Sequence, residues 1–125
     1  MPARQSFDVE SFTHTNPIPC VTRIGPLVMS SVIVGRDPGS SNVPDEIEAQ
    51  IVNLFHYTGE MLRAAGADWR HVARMNFFLP SLDQRSALNG PWVEHFPDPA
   101  SRPARHTEVV HGPAAKCDFV AYVTD

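Results

Sequence analysis

The stretch IEAQIVNLFHYTGEMLRAAG, residues 47–66, decides the fold. Ile47, Ile51, Leu54, Phe55, Thr58, Leu62 and Ala65 recur at spacings of three and four, the stripe of an amphipathic helix. Pro44 stands near the first turn, where a missing N–H costs nothing, and Gly66 ends the element. A helix of about twenty residues with one apolar side needs a broad partner, so it is expected to lie across a sheet.

Strands for that sheet can be read on either side of the helix. CVTRI (20–24) and LVMSSVIVG (27–35) form a hairpin about Gly25-Pro26. They follow an extended loop, HTNPIP (14–19), whose prolines remove donors and bias their predecessors away from helix. Phe7, Val9 and Phe12 hint at an alternating edge strand within residues 1–13, and RDPGSSNVP (36–44) is a loop. After the helix, Asp68 caps a brief helical turn through Val72, and RMNFFLP (74–80) is a strand rich in aromatic and branched side chains. Ser81 and Gln84 have capping-box spacing, and Leu88, Trp92, Val93 and Phe96 form the buried stripe of a second helix that Gly90-Pro91 kinks or interrupts. RHTEVV (105–110) and CDFVAYV (117–123) complete the set. The order predicts one α+β domain over residues 1–125, with helices on one face of a mixed sheet. Nothing in the chain is left to cover the other face, so homo-oligomerisation is expected.

Composition excludes several function classes. Ten Lys or Arg against fourteen Asp or Glu give a net charge of −4, which disfavours nucleic acid as a partner because the basic face it needs has little material. The tight cluster Arg102, Arg105 and His106 suits one small anion. No run is long or apolar enough to span a membrane, and the start MPARQSFDVE lacks the apolar core of a secretory signal, so a cytoplasmic, reduced protein is expected, with Cys20 and Cys117 as buried free thiols. The histidines show no zinc-type pairing with thiols or carboxylates, and phosphate-loop, GxSxG and dinucleotide motifs are missing, so neither a metal nor another cofactor is expected.

Two charged residues stand inside strands. Alternation puts Arg105, Thr107 and Val109 on one side of their strand, where a guanidinium and a hydroxyl two residues apart suit a planar carboxylate. A surface arginine paired with an acidic neighbour is the plainer alternative. Asp118 shares a face with Val120 and Tyr122. If its strand pairs with that of Arg105, the two charges face one cavity in which Asp118 holds or deprotonates a water; otherwise it is a structural ion pair or an edge gatekeeper. Asn89 and the strand serines Ser30 and Ser31 can point at ligand or satisfy backbone.

Taken together, HTNPIPCVTRIGPLVMSS, AGADWRHVARMNFFL, LNGPWVEHF, RPARHTEV and KCDFVAYV resemble the reactive-intermediate deaminase family, the RidA-like or YjgF-like proteins formerly labelled endoribonuclease L-PSP. The resemblance implies a chorismate-mutase-like fold, with two long helices on one face of the sheet. It also implies a homotrimer with a central β-barrel and clefts between subunits. It places the carboxylate-holding arginine on Arg105 and the family asparagine on Asn89, with Thr107 where the family has cysteine. The water-ordering glutamate falls on Asp118, with the preceding loop two residues shorter here. Ile18 replaces a tyrosine of the pocket wall, and Val32-Ile33 follow Ser31 where the family has Gly-Gln. The shorter aspartate moves an oxygen by about 1 Å, a scale at which rates change about a hundredfold. The implied activity is cofactor-free hydrolysis of a 2-imino or enamino carboxylic acid to a 2-oxo acid and ammonia, on a bulkier or more apolar substrate. A non-catalytic trimer that binds small carboxylates is the alternative, and the acidic balance argues against a ribonuclease.

Overall fold

A single mixed sheet carries the fold in the computed structural model, which describes residues 3–124. Its strands are β1 (Arg4–Phe7), β2 (Val21–Ile24), β3 (Leu27–Ser30), β4 (Ile33–Val34), β5 (Val72–Leu79), β6 (Ala104–Val109) and β7 (Lys116–Tyr122). The order is β1-β2-β3-β7-β5-β6, with β4 also beside β7. Only β5 and β6 run parallel, joined by a helical crossover over residues 82–95; the other pairs are antiparallel. The expected strands are present, except that LVMSSVIVG, expected as one strand, is divided into β3 and β4. The edge strand is shorter than its allotted span, and residues 1 and 2 of that span lie outside the described residues.

The helix read from the opening stretch is α1 (Ile47–Ala64), and Ile51, Leu54, Phe55, Thr58 and Leu62 are all buried under it. Gly66, at φ +78°, ends it in a Schellman arrangement: its N–H donates to Arg63 O at 3.0 Å, and the Ala67 N–H donates to Leu62 O at 2.8 Å. Arg23 of β2 donates to Ala65 O at 2.7 Å and ties this helix end to the sheet. At the β2–β3 hairpin, Ile24 pairs with Leu27 across Gly25-Pro26, and a φ of +55° at Gly25 gives the sign pattern of a type II′ turn.

The second helical segment differs in detail from the expectation of a long helix broken at Gly90-Pro91. Residues Leu82–Leu88 form a 3₁₀ run that passes into α2 (Asn89–His95). Pro91 falls in the first turn of α2, where its missing N–H is tolerated, so the dipeptide marks a beginning rather than an interruption. Leu88, Trp92 and Phe96 are buried at spacings of four, whereas Val93 is 48% exposed and leaves the stripe.

The core lies between the helices and one sheet face. Phe77 of β5 is fully buried, with the rings of Phe55 at 5.8 Å and Trp92 at 6.3 Å. Cys117, Phe119 and Ala121 of β7 project into the same layer. Both cysteines are free and buried. Burial pushes the Cys117 thiol up to about 12, opposed by a lowering contact from Thr58 and reinforced by the Asp118 charge. Native protein should therefore react slowly with a thiol-specific disulfide reagent at pH 8, and two thiols should appear on denaturation. The unfolded thiol ionises near its ordinary value of 9 while the folded one stays protonated to about 12, so stability should fall as pH rises through that window.

Among the described residues no helix covers the opposite sheet face. Ile24, Leu27 and Tyr122 are consecutive partners across β2, β3 and β7, and Met29 pairs with Val120 in the next row. Ile24, Leu27, Met29 and Tyr122 are 37–54% exposed, a contiguous apolar patch of the kind that marks an interface.

Candidate active site

The sequence-identified residues divide between two places. Arg105 and Thr107 lie on β6, an edge strand, opposite Met75 and Phe77 of β5. Met75 and Phe77 are buried on the helix face, so alternation sends Arg105 and Thr107 to that face as well. Arg105 is exposed, and its guanidinium sits 5.2 Å from the centroid of the Trp92 ring, within cation–π range. Burial of part of the side chain, and then the nearby Arg85, lower its pKa from the ordinary arginine value. Among the described residues it has no ion-pair partner. Asn89, the first residue of α2, is exposed midway along the crossover.

Asp118 lies elsewhere. The pairing of its strand with that of Arg105, on which a shared cavity within one chain depends, does not occur, because β5 runs between β6 and β7. Asp118 is opposite Asn76 of β5, whose neighbours Met75 and Phe77 point into the core, so the aspartate projects from the face away from the helices. Within one chain, then, Arg105 and Asp118 stand on opposite faces of the sheet. Asn76 donates to Asp118 Oδ1 at 2.7 Å, which fixes the carboxylate and leaves Oδ2 available. Asn76 was not identified from the sequence; its signal was an amide in the middle of an otherwise apolar strand, RMNFFLP.

A break in the sheet collects the remaining candidates near Asp118. Met29 pairs with Val120 and Ile33 with Cys117, so three residues of the β3–β4 strand face two of β7, as in a bulge. Ser30 fills the gap by accepting from the Phe119 N–H at 3.0 Å, which settles that hydroxyl as backbone-satisfying. Ser31, half-buried, donates its N–H to Cys20 O at 3.0 Å, and Val32 is 39% exposed. The loop carrying Ile18, itself 41% exposed, is held alongside by His14, whose Nε2 lies 2.9 Å from Val32 O. Arg105 and Thr107 therefore stand on the helix face of the edge strand, whereas Asp118 stands on the opposite face beside the β3–β4 break that carries Ser31 and Val32. Three concavities of 320–330 Å³ are lined by other residues, so neither half makes one of these pockets by itself.

A family model described as Endoribonuclease L-PSP matches residues 11–116. The chain belongs to that family. The match spans Arg105, Thr107, Asn89, Ser31, Val32 and Ile18 and stops two residues before Asp118. Reactive Intermediate Deaminase A, chloroplastic, of Arabidopsis thaliana is 32% identical over 82 residues, which is 65% of this chain and 43% of that protein. Protein mmf2, mitochondrial, of Schizosaccharomyces pombe is 35% identical over 65 residues, 52% of this chain and 50% of that protein. The chain thus spans about half the length of these curated relatives. Among solved structures, RidA from a Psychrobacter species superposes with a TM-score of 0.85 at 22% identity, covering 95% of this chain and 99% of that one. A Thermotoga maritima protein described as a putative endoribonuclease reaches 0.87 at 20% identity over 97% and 98%. These likenesses establish the RidA/YjgF fold.

Proposed function

We propose that the protein hydrolyses a 2-imino or enamino carboxylic acid to a 2-oxo acid and ammonia, in clefts formed between the copies of a homotrimer. The observation that carries this reading is Arg105, an ionised guanidinium steadied over Trp92 with no ion-pair partner among the described residues. Membership of the family and the name of the Arabidopsis relative support it. The exposed apolar face and the unpaired edge of β6 support the assembly. With the apolar faces turned inward as a barrel, the β6 edge of one copy meets the Asp118 side of the next, and the two half-sites become one.

In that cleft Arg105 takes the substrate carboxylate as a fork, assisted by the Thr107 hydroxyl and the Asn89 amide. Asp118, oriented by Asn76, accepts a proton from a water that adds to the C=N carbon. The proton passes to nitrogen, the carbinolamine expels ammonia, and C=N and water become C=O and NH₃. An enamine enters the same route after protonation at carbon. Imines hydrolyse unaided, so orientation and one proton-transfer group suffice, with no cofactor in the reaction. Ile18 and Val32 give the wall an apolar character suited to a bulkier side chain. A reducing compartment such as the cytoplasm fits the two free thiols.

Ammonia release from imines generated by an amino-acid oxidase tests the reading. Wild type must accelerate it over the spontaneous rate. Asp118→Asn keeps an acceptor for Asn76 but removes the charge. It should lower kcat about 100-fold while binding of a 2-oxo acid changes little, the loss expected of a proton-transfer group. A second reading, a non-catalytic carboxylate-binding trimer, draws on the Asp118 carboxylate being already engaged by Asn76. It prevails if wild type binds 2-oxo acids but releases no extra ammonia. The net charge of −4 argues against RNA as the substrate.

A further inference from the structure

Gly59 stands well inside α1, where glycine is the poorest helix former after proline. Packing does not demand it. A Cβ there would meet its nearest neighbour, Cζ2 of Trp69, at 3.4 Å, an ordinary van der Waals contact, so alanine would fit. What the missing methyl leaves is a notch between two donors: Trp69 Nε1 lies 3.5 Å and Arg63 Nη1 3.6 Å from the point that this Cβ would occupy. Among the described residues the indole N–H bonds no acceptor and Arg63 has no ion pair.

The notch belongs to a cavity of about 330 Å³ between α1 and α2. Its wall is aromatic and held in place: the His95 ring stacks on Phe55 at 4.7 Å, lies 4.4 Å from the Trp69 ring, and has its Nδ1 2.7 Å from Pro91 O. Val52, 60% exposed, lines the same cavity about 16 Å along the helix from Arg63, so the groove has an apolar end and a cationic end. The other charged groups on its walls leave Arg63 free. His56 is paired with Glu60 at 2.7 Å, and Glu94, on the α2 wall, makes no ion pair with Arg63 and turns an anion toward the Arg63 end.

We propose that this cavity is a second ligand site, separate from Arg105, and that it takes a planar aryl carboxylate. The carboxylate sits in the Gly59 notch between the Arg63 guanidinium and the Trp69 N–H, and the ring packs against the cluster of Phe55, His95 and Trp69. A charge-assisted hydrogen bond fixes the acid, and ring-to-ring contact fixes the plane. The site does not rest on the deaminase reading.

The test titrates the full chain, labelled with nitrogen-15, with 2-naphthoate. The two tryptophans give two indole N–H resonances that report different places, since Arg105 lies over Trp92. 2-Naphthoate should move the Trp69 resonance saturably, with a Kd of about 0.1 mM. 2-Naphthalenemethanol, which keeps the rings without the charge, and acetate, which keeps the charge without the rings, should each bind about tenfold or more weakly. Arg63→Met should weaken 2-naphthoate by a similar factor. Gly59→Ala should weaken it about fivefold while raising the thermal midpoint, which separates that loss from damage to the fold. A Trp69 resonance that stays still up to about 5 mM, equal affinity for either analogue, or affinity unchanged in Arg63→Met or Gly59→Ala overturns the proposal. Movement confined to Trp92 also overturns it, and would place the anion on Arg105 with the deaminase reading intact.

Discussion

Replacing Arg105 by alanine is expected to lower kcat/KM for imine hydrolysis about 10³-fold, without loss of folding stability. The first half follows from what the fork does. A desolvated carboxylate deprived of its charged partner typically loses about 2–5 kcal/mol, and about 4 kcal/mol corresponds to the stated factor at 1.36 kcal/mol per tenfold. The second half follows from where the side chain sits. Arg105 is exposed, has no ion pair among the described residues, and carries a pKa lowered by burial and by Arg85. Removing the charge relieves repulsion from Arg85 but gives up the contact with the Trp92 ring, two small effects that offset each other. The thermal midpoint of Arg105→Ala should stay close to that of wild type, the signature of a group placed for ligand rather than for folding. Arg105→Lys retains the charge but not the planar fork and should fall between, about tenfold below wild type. The measurements are initial rates of ammonia release and a thermal melt on the same samples. A loss of less than about tenfold, or destabilisation beyond about 1 kcal/mol, would mark Arg105 as a structural ion and remove the basis of the proposed chemistry.

Arg105 was legible in the sequence because a period of two is a local property: a guanidinium just inside a strand must leave on a definite face. Its relation to Asp118 was not legible in the same way. Strand order depends on which segments pair after the helices have packed, and no local signal in RHTEVV or CDFVAYV says that RMNFFLP will lie between them. Val93 is a local matter instead. Within α2 a period of 3.6 keeps Leu88, Trp92 and Phe96 within about 80° of one another and sets Val93 about 140° from Leu88, on the solvent side, so the spacing of three to Phe96 was a misleading signal. The uncovered sheet face, by contrast, followed from simple inventory, since two helices cannot shield both sides of a sheet.

Gln50 shows a third kind of gap, a residue whose importance lies wholly in the backbone around it. It adjoins the apolar stripe of α1 and is 3% exposed. Its Nε2 donates to Pro44 O at 2.9 Å and to Pro113 O at 3.0 Å, and its Oε1 accepts from the Ala115 N–H at 2.6 Å. One amide therefore joins the loop before α1 to the loop that feeds β7. Gly35 allows the approach: a Cβ there would lie 2.9 Å from Gln50 O. Gln50→Leu fills the space but strands two carbonyls and an N–H, each costing about 1–3 kcal/mol when unpaired, so a loss of about 4 kcal/mol is expected, large against a total of about 5–15 kcal/mol. Gln50→Glu should be worse at neutral pH, because a buried carboxylate would face the two carbonyls that the amide served. Protonation supplies a donor again. The carboxyl's folded pKa would thus be raised above its ordinary value, stability would be greatest below that ordinary value, and it would fall as pH rises through the folded one. Urea unfolding of both variants across pH, at fixed protein concentration, reads these effects. A Gln50→Leu variant within about 1 kcal/mol of wild type would show that water replaces the amide and that the clamp contributes little.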